Sequence, residues 1–337
     1  MNITFFIGNG FDINRKLSTS YIDFYSYAKS NSLLMDNTIF NEIKKEVKLW
    51  SDFELQLGAE TTKIQNENEA EAFMDDFEDL HSEFLDYLED ESKKYKPIKE
   101  QVNLSFKNTM RSFYSDIDEG NEKIIETKIF NNRNEGIITN FLNFNYTDTL
   151  TKYWSLLSND IRVPYNRYNI SITPKKPIHI HNDLHNSALL GVNDITQIAK
   201  TKYFSEDDLN FLIKPNSTAV NNSYTFQNAE NIINNSNIIV VYGMSLGLTD
   251  KKWWELIGKW LKNKNTYLII HYFNNQEKNP RKSIRRLNRN RNKAKFQFLE
   301  HLELNSSESL EIQKRIFISI NSNHMFNDIN VKKKTNS

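Results

Sequence analysis

The chain has 337 residues, and its 22 Phe and 15 Tyr supply enough apolar surface for a sizeable core. It has no cysteine, which excludes disulfide bonds, thiol catalysis and thiolate metal sites. Its formal net charge is zero, which indicates neither a nucleic-acid nor a membrane partner. No apolar run approaches the ~20 residues of a membrane span, and no basic stretch precedes the first apolar segment, so we expect a soluble, cytoplasmic protein.

The first predicted element is a strand over residues 2–7, which ends in two glycines that stand one residue apart. Only 9 residues of the chain are glycine, so this pair indicates a tight turn at a sheet edge, where a nucleotide phosphate can approach the backbone. The turn supplies five candidate binding residues: Gly8, Asn9, Gly10, Phe11 and Asp12. An ordinary tight turn is the alternative, because Ile13 stands where the dehydrogenase pattern has its third glycine.

A long helical region follows, over residues 18–132, and we interpret it as an insertion after the first strand. Within it, apolar residues recur at helical spacing in one stripe: Phe73, Phe77, Leu80, Phe84 and Leu88. Residues 66–92 also carry twelve Asp or Glu and no Lys or Arg. This charge pattern predicts a solvent-exposed helix face, with a docking surface as the alternative.

Further strands are predicted after the helical region, at residues 136–145, 177–181, 188–192, 237–242, 266–273 and 315–320. Amphipathic helical patterns separate several of them. Strands that alternate with helices favour an α/β fold with a mostly parallel sheet. We therefore predict a single α/β domain over residues 1–337, in which residues 274–337 form a C-terminal extension without a recognised motif.

A basic segment lies within that extension, because residues 278–299 carry nine Lys or Arg and no acidic residue. The segment is predicted to be a helix. It is interpreted either as a strip that binds nucleic acid or phosphate, or as an exposed helix that balances the acidic stretch. We favour the second interpretation, since no aromatic residues are interleaved through its basic half.

Polar residues and glycines concentrate directly after the predicted strands, where open α/β sheets bind their ligands. Five of the nine glycines stand there: Gly8, Gly10, Gly191, Gly243 and Gly247. They are joined by four further candidate site residues: Asn145, Asp148, His181 and Ser245. This concentration predicts a nucleotide-type ligand.

Each of these residues also has a structural interpretation. Asn145 is placed to cap the helix after its strand, and a single histidine such as His181 is often structural. We expect the side chains of His179 and His181 to point to opposite faces of the sheet and not to share a metal ion. Because the chain also lacks a His-x-x-x-His pattern, we predict no metal site.

Six motifs carry a resemblance to a known family, and they occur in this order: Phe6–Asp12, Trp50–Glu54 followed by Leu57 and Gly58, Asn143–Leu150, Ile178–His181, Leu190–Asp194 and Tyr242–Asp250. Together, over residues 3–260, they make the chain resemble the bacteriophage abortive-infection AbiH family. That family is in turn similar, more distantly, to sirtuin-like NAD-binding proteins. The resemblance implies a Rossmann-like (sirtuin-like) fold and a role in phage defence.

The same resemblance implies roles for individual residues. Gly8, Asn9 and Gly10 would face the NAD pyrophosphate, Asn145 the nicotinamide ribose, and Gly243 with Ser245 the adenosine ribose, while His181 would be the catalytic histidine. The chain departs from the sirtuin-like pattern at Asn182, where a glycine is usual, and at Thr147, where an acid is usual and Asp148 follows instead. Since the chain lacks the cysteines of a zinc ribbon, deacylation is not expected.

The resulting hypothesis is an NAD glycohydrolase that produces nicotinamide and ADP-ribose, with NAD as substrate and no metal. His181 would be the general base, Asn145 would hold the ribose or the attacking water, and Asp12 or Asp148 would orient either group. One alternative is a nucleotide-sensing module that acts through assembly, as a homo-oligomer, or through a partner. The other is a nuclease that uses the basic strip. The sequence identifies no phage trigger.

Overall fold

The structure, a computed structural model, describes residues 1–43, 53–165, 167–186, 188–274, 284–302 and 304–328. Within these ranges one sheet is formed by eight strands: β1 (Asn2–Ile7), β2 (Ile137–Asn143), β3 (Ile161–Tyr165), β4 (Tyr168–Pro174), β5 (Ile178–His179), β6 (Ile238–Tyr242), β7 (Tyr267–Tyr272) and β8 (Ile316–Ile320). Their order is β3-β4-β2-β1-β6-β7-β8, and β5 also pairs with β2. β3 and β4 form an antiparallel hairpin, and the other strand pairs are parallel.

Thirteen α-helices accompany the sheet in the described ranges: α1 (Gly10–Asn14), α2 (Tyr21–Ser30), α3 (Thr38–Ile43), α4 (Phe53–Glu60), α5 (Glu67–Lys93), α6 (Lys99–Ser112), α7 (Glu119–Asn131), α8 (Thr149–Ser155), α9 (Glu206–Leu212), α10 (Lys214–Asn234), α11 (Lys251–Trp260), α12 (Ile284–Leu299) and α13 (Ser306–Ile312). Helices α2 to α7 lie between β1 and β2, as predicted for the insertion. The mixed α/β class with a mostly parallel sheet is confirmed. No helix within the described ranges is long and apolar enough to cross a membrane.

The two faces of the sheet are covered by different helices, because successive side chains of a strand point to opposite sides. Phe5 faces α6 and α7, where it joins a core with Phe106 and Ile125. Phe6 faces the other side, where it packs in a second core with residues of α10, α11 and α12, among them Trp254. β1 is thus covered on both faces and is the centre of the molecule.

The insertion has a third core of its own, built from α2 to α5 and from the segment around residues 188–213. The predicted apolar stripe of α5 is confirmed, since all five of its residues are buried in this core. Most of the acidic residues of α5 are exposed on the opposite side, as predicted for a solvated face. The insertion therefore packs against the sheet edge with one face and meets solvent with the other.

Two strand predictions need correction. Residues 188–192 form no strand, since Gly191 has a φ of 154° and the Leu212 carbonyl oxygen would lie 2.2 Å from a Cβ at that position. This segment makes one bridge instead, between Val192 and Ile213. The β3–β4 hairpin was not predicted. Its first strand, β3, contains Pro164 and lies at the edge of the sheet, where proline is tolerated.

The C-terminal part of the chain belongs to the main core as far as it is described. β8 pairs with β7, and Phe326 is fully buried, with its ring 5.4 Å from that of Phe5. Asp328 forms a buried ion pair of 2.6 Å with Arg15 of the first turn. The basic segment is helical in α12, whereas residues 275–283, 303 and 329–337 of the predicted extension, like Trp50 to Asp52 of the second motif, lie outside the described residues.

Candidate functional site

The turns after β1 and β6 contact each other directly, and this contact explains their glycines. The Gly8 and Gly10 amides donate hydrogen bonds to the carbonyl oxygens of Tyr242 (2.9 Å) and Gly243 (2.8 Å). A Cβ on Gly10 would lie 2.5 Å from the Gly243 Cα, and Gly243 itself has a left-handed φ of 71°. In this arrangement the two amides bind neighbouring backbone, so they are not directed at a ligand.

Asn145 and Asn9 hold the same edge of the sheet together. The buried Asn145 side chain donates from Nδ2 to the Gly8 carbonyl oxygen, at 3.1 Å, and so joins the ends of β1 and β2. Asn9 exchanges hydrogen bonds with Thr19 at the start of the insertion. Phe11 is fully buried beneath the Arg15 guanidinium, 3.4 Å from its ring centre, so this side chain belongs to the core.

The two candidate aspartates differ in their surroundings. Asp12 is fully buried and accepts a hydrogen bond of 2.5 Å from Thr147 Oγ1. Burial raises the pKa of Asp12 to about 6, although the Thr147 hydroxyl and the Arg15 charge act in the opposite direction. Asp148 is partly exposed and pairs with Lys152 at 2.8 Å. Asp12 therefore connects β1 to the start of α8, and Asp148 lies on the outer side of that helix.

His181 and His179 point in different directions, but strand alternation is not the reason, since residues two positions apart on a strand share a face. The strand β5 ends at His179, so His181 lies beyond it and its direction is set by the turn. His179 lies 3.1 Å from the Thr151 hydroxyl of α8, whereas the His181 Nε2 lies 3.3 Å from Asp250 Oδ1 at the start of α11. The His181 ring is buried and packs against Phe144 and Tyr146, the two neighbours of Asn145 in sequence. His181 and Asn145 are thereby brought to one place.

The partner of His181 determines which ring nitrogen carries the proton. The pKa of Asp250 is lowered: burial would raise it, but the His181 hydrogen bond and the Lys214 charge outweigh burial. An ionised carboxylate can only accept, so Nε2 of His181 donates to it and Nδ1 keeps the free electron pair. Burial, and then the Lys214 charge, lower the pKa of His181, so the ring is neutral at pH 7. Nδ1 is buried, and no hydrogen-bond partner for it is found among the described residues.

A buried ion pair lies beside this histidine. Lys214 Nζ, at the start of α10, is 2.8 Å from Glu54 Oε2 of α4. The hydroxyl groups of Tyr21 and Tyr146 lie 3.1 Å and 3.2 Å from the other oxygen of Glu54. Burial alone would lower the pKa of Lys214, but Glu54 and then Asp250 raise it, so the side chain is an ammonium ion.

Sequence reasoning did not assign Lys214, Glu54 or Tyr21 to the site. Glu54 and Asp250 each stand inside one of the six motifs, and this was a usable signal. Lys214 belongs to no motif. Its position follows from the backbone, because its amide donates to the Val192 carbonyl oxygen at 2.9 Å.

A narrow recess of about 20 Å³ opens beside His181, with room for about one water molecule. Its walls combine an imidazole, two amines, an amide and aromatic rings: Ile180, His181, Asn193, Lys214, Phe226, Thr249, Lys252 and Trp253. The Lys252 ammonium lies 4.1 Å from the centre of the Phe226 ring. These groups suit an anionic ligand with a planar ring.

The remaining candidates lie outside this lining. Ser245 is exposed, two residues beyond Gly243. Asn182, which replaces the glycine of the sirtuin-like pattern, has a left-handed φ of 59°. Asparagine tolerates this conformation better than most residues do, so the backbone after His181 keeps a shape that glycine would adopt. No group of three or more His, Cys, Asp or Glu that could hold a metal ion is found in the described part of the chain.

Comparisons with known proteins agree with the order of the motifs. A search of curated proteins finds no match. The family model for bacteriophage abortive infection AbiH matches residues 4–272, which include every element from β1 to β7 and all the candidate site residues. Since the match covers most of the chain, the protein belongs to the bacteriophage abortive infection AbiH family.

Proposed function

We propose that this phage-defence protein acts by hydrolysing NAD to nicotinamide and ADP-ribose at the recess beside His181. The observation that carries the proposal is the buried His181–Asp250 pair, which leaves a neutral imidazole with its free electron pair on Nδ1. Its position supports the choice of a nucleotide. The pair follows β5 and precedes α11, beside β1, where the strand order changes direction, and doubly wound (Rossmann-like, sirtuin-like) sheets bind nucleotides at such a point.

The reaction would be one displacement, in which water replaces nicotinamide at the ribose carbon. The bond between the ribose and the nicotinamide nitrogen breaks through an oxocarbenium-like state, and the electron pair of that bond leaves with nicotinamide. Water adds to the ribose carbon, and His181 Nδ1 takes the proton that water loses. Asp250 stabilises the imidazolium ion that forms, as a carboxylate does for a catalytic histidine. Asn145 would hold the ribose.

The charged and aromatic walls of the recess would contact the phosphates and the planar rings of NAD. Lys252 provides positive charge for the two phosphates, while Phe226 and Trp253 offer rings for stacking. Because the recess admits about one water molecule, its walls must separate to admit NAD. Pyrophosphate contacts with the Gly8 and Gly10 amides would likewise require these amides to leave the Tyr242 and Gly243 carbonyls.

The test compares two histidines that stand two residues apart. His181→Ala should lower NAD hydrolysis by ~10²–10⁴-fold, the usual effect of losing a positioned acid–base group. Asn145→Ala should also lower it, because the ribose would lose its holding group. His179→Ala, on the other side of the sheet, is the matched control and should retain most of the activity. Mass spectrometry of NAD and ADP-ribose, with purified protein and in phage-infected cells, measures the outcome.

Equal NAD loss in wild type and in both site variants would refute the proposal. Calorimetry with NAD separates it from the sensor alternative, which uses the same recess. Binding of NAD without release of nicotinamide, in infected cells as well as in the purified protein, would replace hydrolysis by sensing.

A further inference from the structure

We infer that Glu54 and Lys214 are positioning residues of the site: the Glu54 carboxylate holds the Lys214 ammonium beside the His181–Asp250 pair, so the helical insertion completes the site. The inference rests on the proposed function, and it assigns the insertion a part in the chemistry. Glu54 comes from α4 and Tyr21 from α2, both within the insertion. His181, in contrast, follows β5, and Asp250 stands at the start of α11.

The geometry fixes Lys214 at both ends. Its Nζ lies 2.8 Å from Glu54 Oε2, and its own amide donates to the Val192 carbonyl oxygen. The Glu54 side chain is in turn held by the hydroxyls of Tyr21 and Tyr146. Glu54 and Lys214 are 7% and 4% exposed, so neither side chain can move into water without opening the core. The ammonium is therefore held in one place.

Stability alone is a weak reason for such a pair. Two buried charges lose their hydration, and a buried ion pair can often be replaced by apolar residues without loss of stability. The charges around His181 come from three elements: Lys214 of α10, Asp250 at the start of α11, and Glu54 of α4. Of these, the positive charge of Lys214 opposes protonation of the ring, and the two carboxylates favour it. Burial is the main reason why the pKa of His181 is lowered, and the Lys214 charge adds to it, so the two together keep the base free of a proton.

The experiment measures the pKa of His181 directly, by NMR titration of imidazole-labelled full-length protein without any substrate. Lys214→Met removes the opposing charge, so the pKa of His181 should rise measurably. Glu54→Gln/Lys214→Met removes both charges of the ion pair, so neither partner is left behind alone. It should fold, as judged by its thermal midpoint, and should show a rise of the same sign, because Lys214 acts on His181 more strongly than Glu54 does.

Lys214→Arg keeps a positive charge and should return the His181 titration close to that of wild type. Lys152→Met, which removes a lysine paired with Asp148 at 2.8 Å, is the matched control and should leave the titration unchanged. In activity assays, the acidic limb of kcat/KM against pH should move to higher pH in both methionine variants.

An unchanged His181 titration in the folded methionine variants would overturn the inference, whether or not NAD is hydrolysed. A raised pKa in a protein whose wild type hydrolyses no NAD would instead sink the proposed function and leave the positioning role of Lys214 intact. If Lys214→Met does not fold, the double variant decides the question. If the double variant also fails to fold, the pair is structural and the inference is wrong.

Discussion

Single residues of this protein show how burial changes the behaviour of a carboxyl group. Asp12 is fully buried and its pKa is raised to about 6, whereas Asp250, whose side chain is 15% exposed, has a lowered pKa because it faces His181 and Lys214. The two groups differ in the charge that faces them. A buried carboxyl without a close, strong counter-charge holds its proton, and one beside an ammonium loses it.

We expect Asp12→Asn to stabilise the protein at neutral pH and not in acid. The folded state binds a proton at Asp12 more tightly than the unfolded state does, so this group favours folding fully below pH ~3.8, and its contribution is lost as pH rises through about 6. A shift of about two units corresponds to about 3 kcal/mol. Urea unfolding of the Asp12→Asn variant should therefore show a gain of up to about 3 kcal/mol at pH ~7.5 and little gain at pH ~4. The same gain at both pH values would contradict the assignment.

The sequence predicts the site only partly at this scale. Asn145 and His181 could be found because each directly follows a strand, and ligands of parallel sheets bind there. Lys214 could not be found, since its partner Glu54 is 160 positions away and no periodic pattern relates them. Only the folded chain brings these two residues together, because Val192 binds the backbone of Lys214.

Among the elements, buried parallel strands were the most predictable. β6 and β7 are short apolar runs covered on both faces, and such runs identify a central strand without any knowledge of its neighbours. Residues 188–192 have a similar composition but are folded around Gly191, against Leu212. Local composition does not distinguish these cases, since the difference lies in a long-range backbone contact.

The insertion should stabilise the site through one aromatic cluster. Phe84 of α5 lies 5.0 Å from the Tyr21 ring and 6.1 Å from the Tyr146 ring, and these two tyrosines hold Glu54. Phe84→Ala should cost about 3–5 kcal/mol of unfolding free energy. It should also shift the NMR signals of the His181 ring.

Phe106→Ala is the matched control for this prediction, because Phe106 lies in a different core, the one that Phe5 of β1 joins. It should cost a similar free energy but leave the His181 signals in place. If both variants leave the ring signals unchanged, the tyrosines do not connect the insertion to the site.

At the scale of the whole molecule, a buried contact joins Arg15, in the turn after β1, to the segment that follows β8. Arg15 donates to the carbonyl oxygens of Phe11 and Phe326 and pairs with Asp328, and the side chains of both partners in this ion pair are almost fully buried. The segment after β8 thereby covers the first turn. The described C-terminal residues are thus as much a part of the core as β1 is.

Asp328→Ala should destabilise the protein strongly, since it leaves the Arg15 guanidinium buried without its counter-charge. Breaking a buried ion pair on one side typically costs about 3–5 kcal/mol. Urea unfolding monitored by tryptophan fluorescence measures this loss. Glu119→Ala, which breaks the exposed pair between Glu119 and Lys123, should cause no measurable change. Equal effects of the two substitutions would show that Arg15 finds another partner.

Because β1 lies at the centre of the sheet, the order of synthesis determines when the sheet can form. β1 is made before both of its neighbours in the sheet, which begin at Ile137 and Ile238. At ~5–20 residues per second, roughly 10–50 seconds pass before the second neighbour is made. The residues around the candidate base are also made far apart in time, since Glu54 is made early and Asp250 late. A nascent chain that has not reached Asp250 therefore has no finished site, and any activity that could harm the host begins only after this residue has been made.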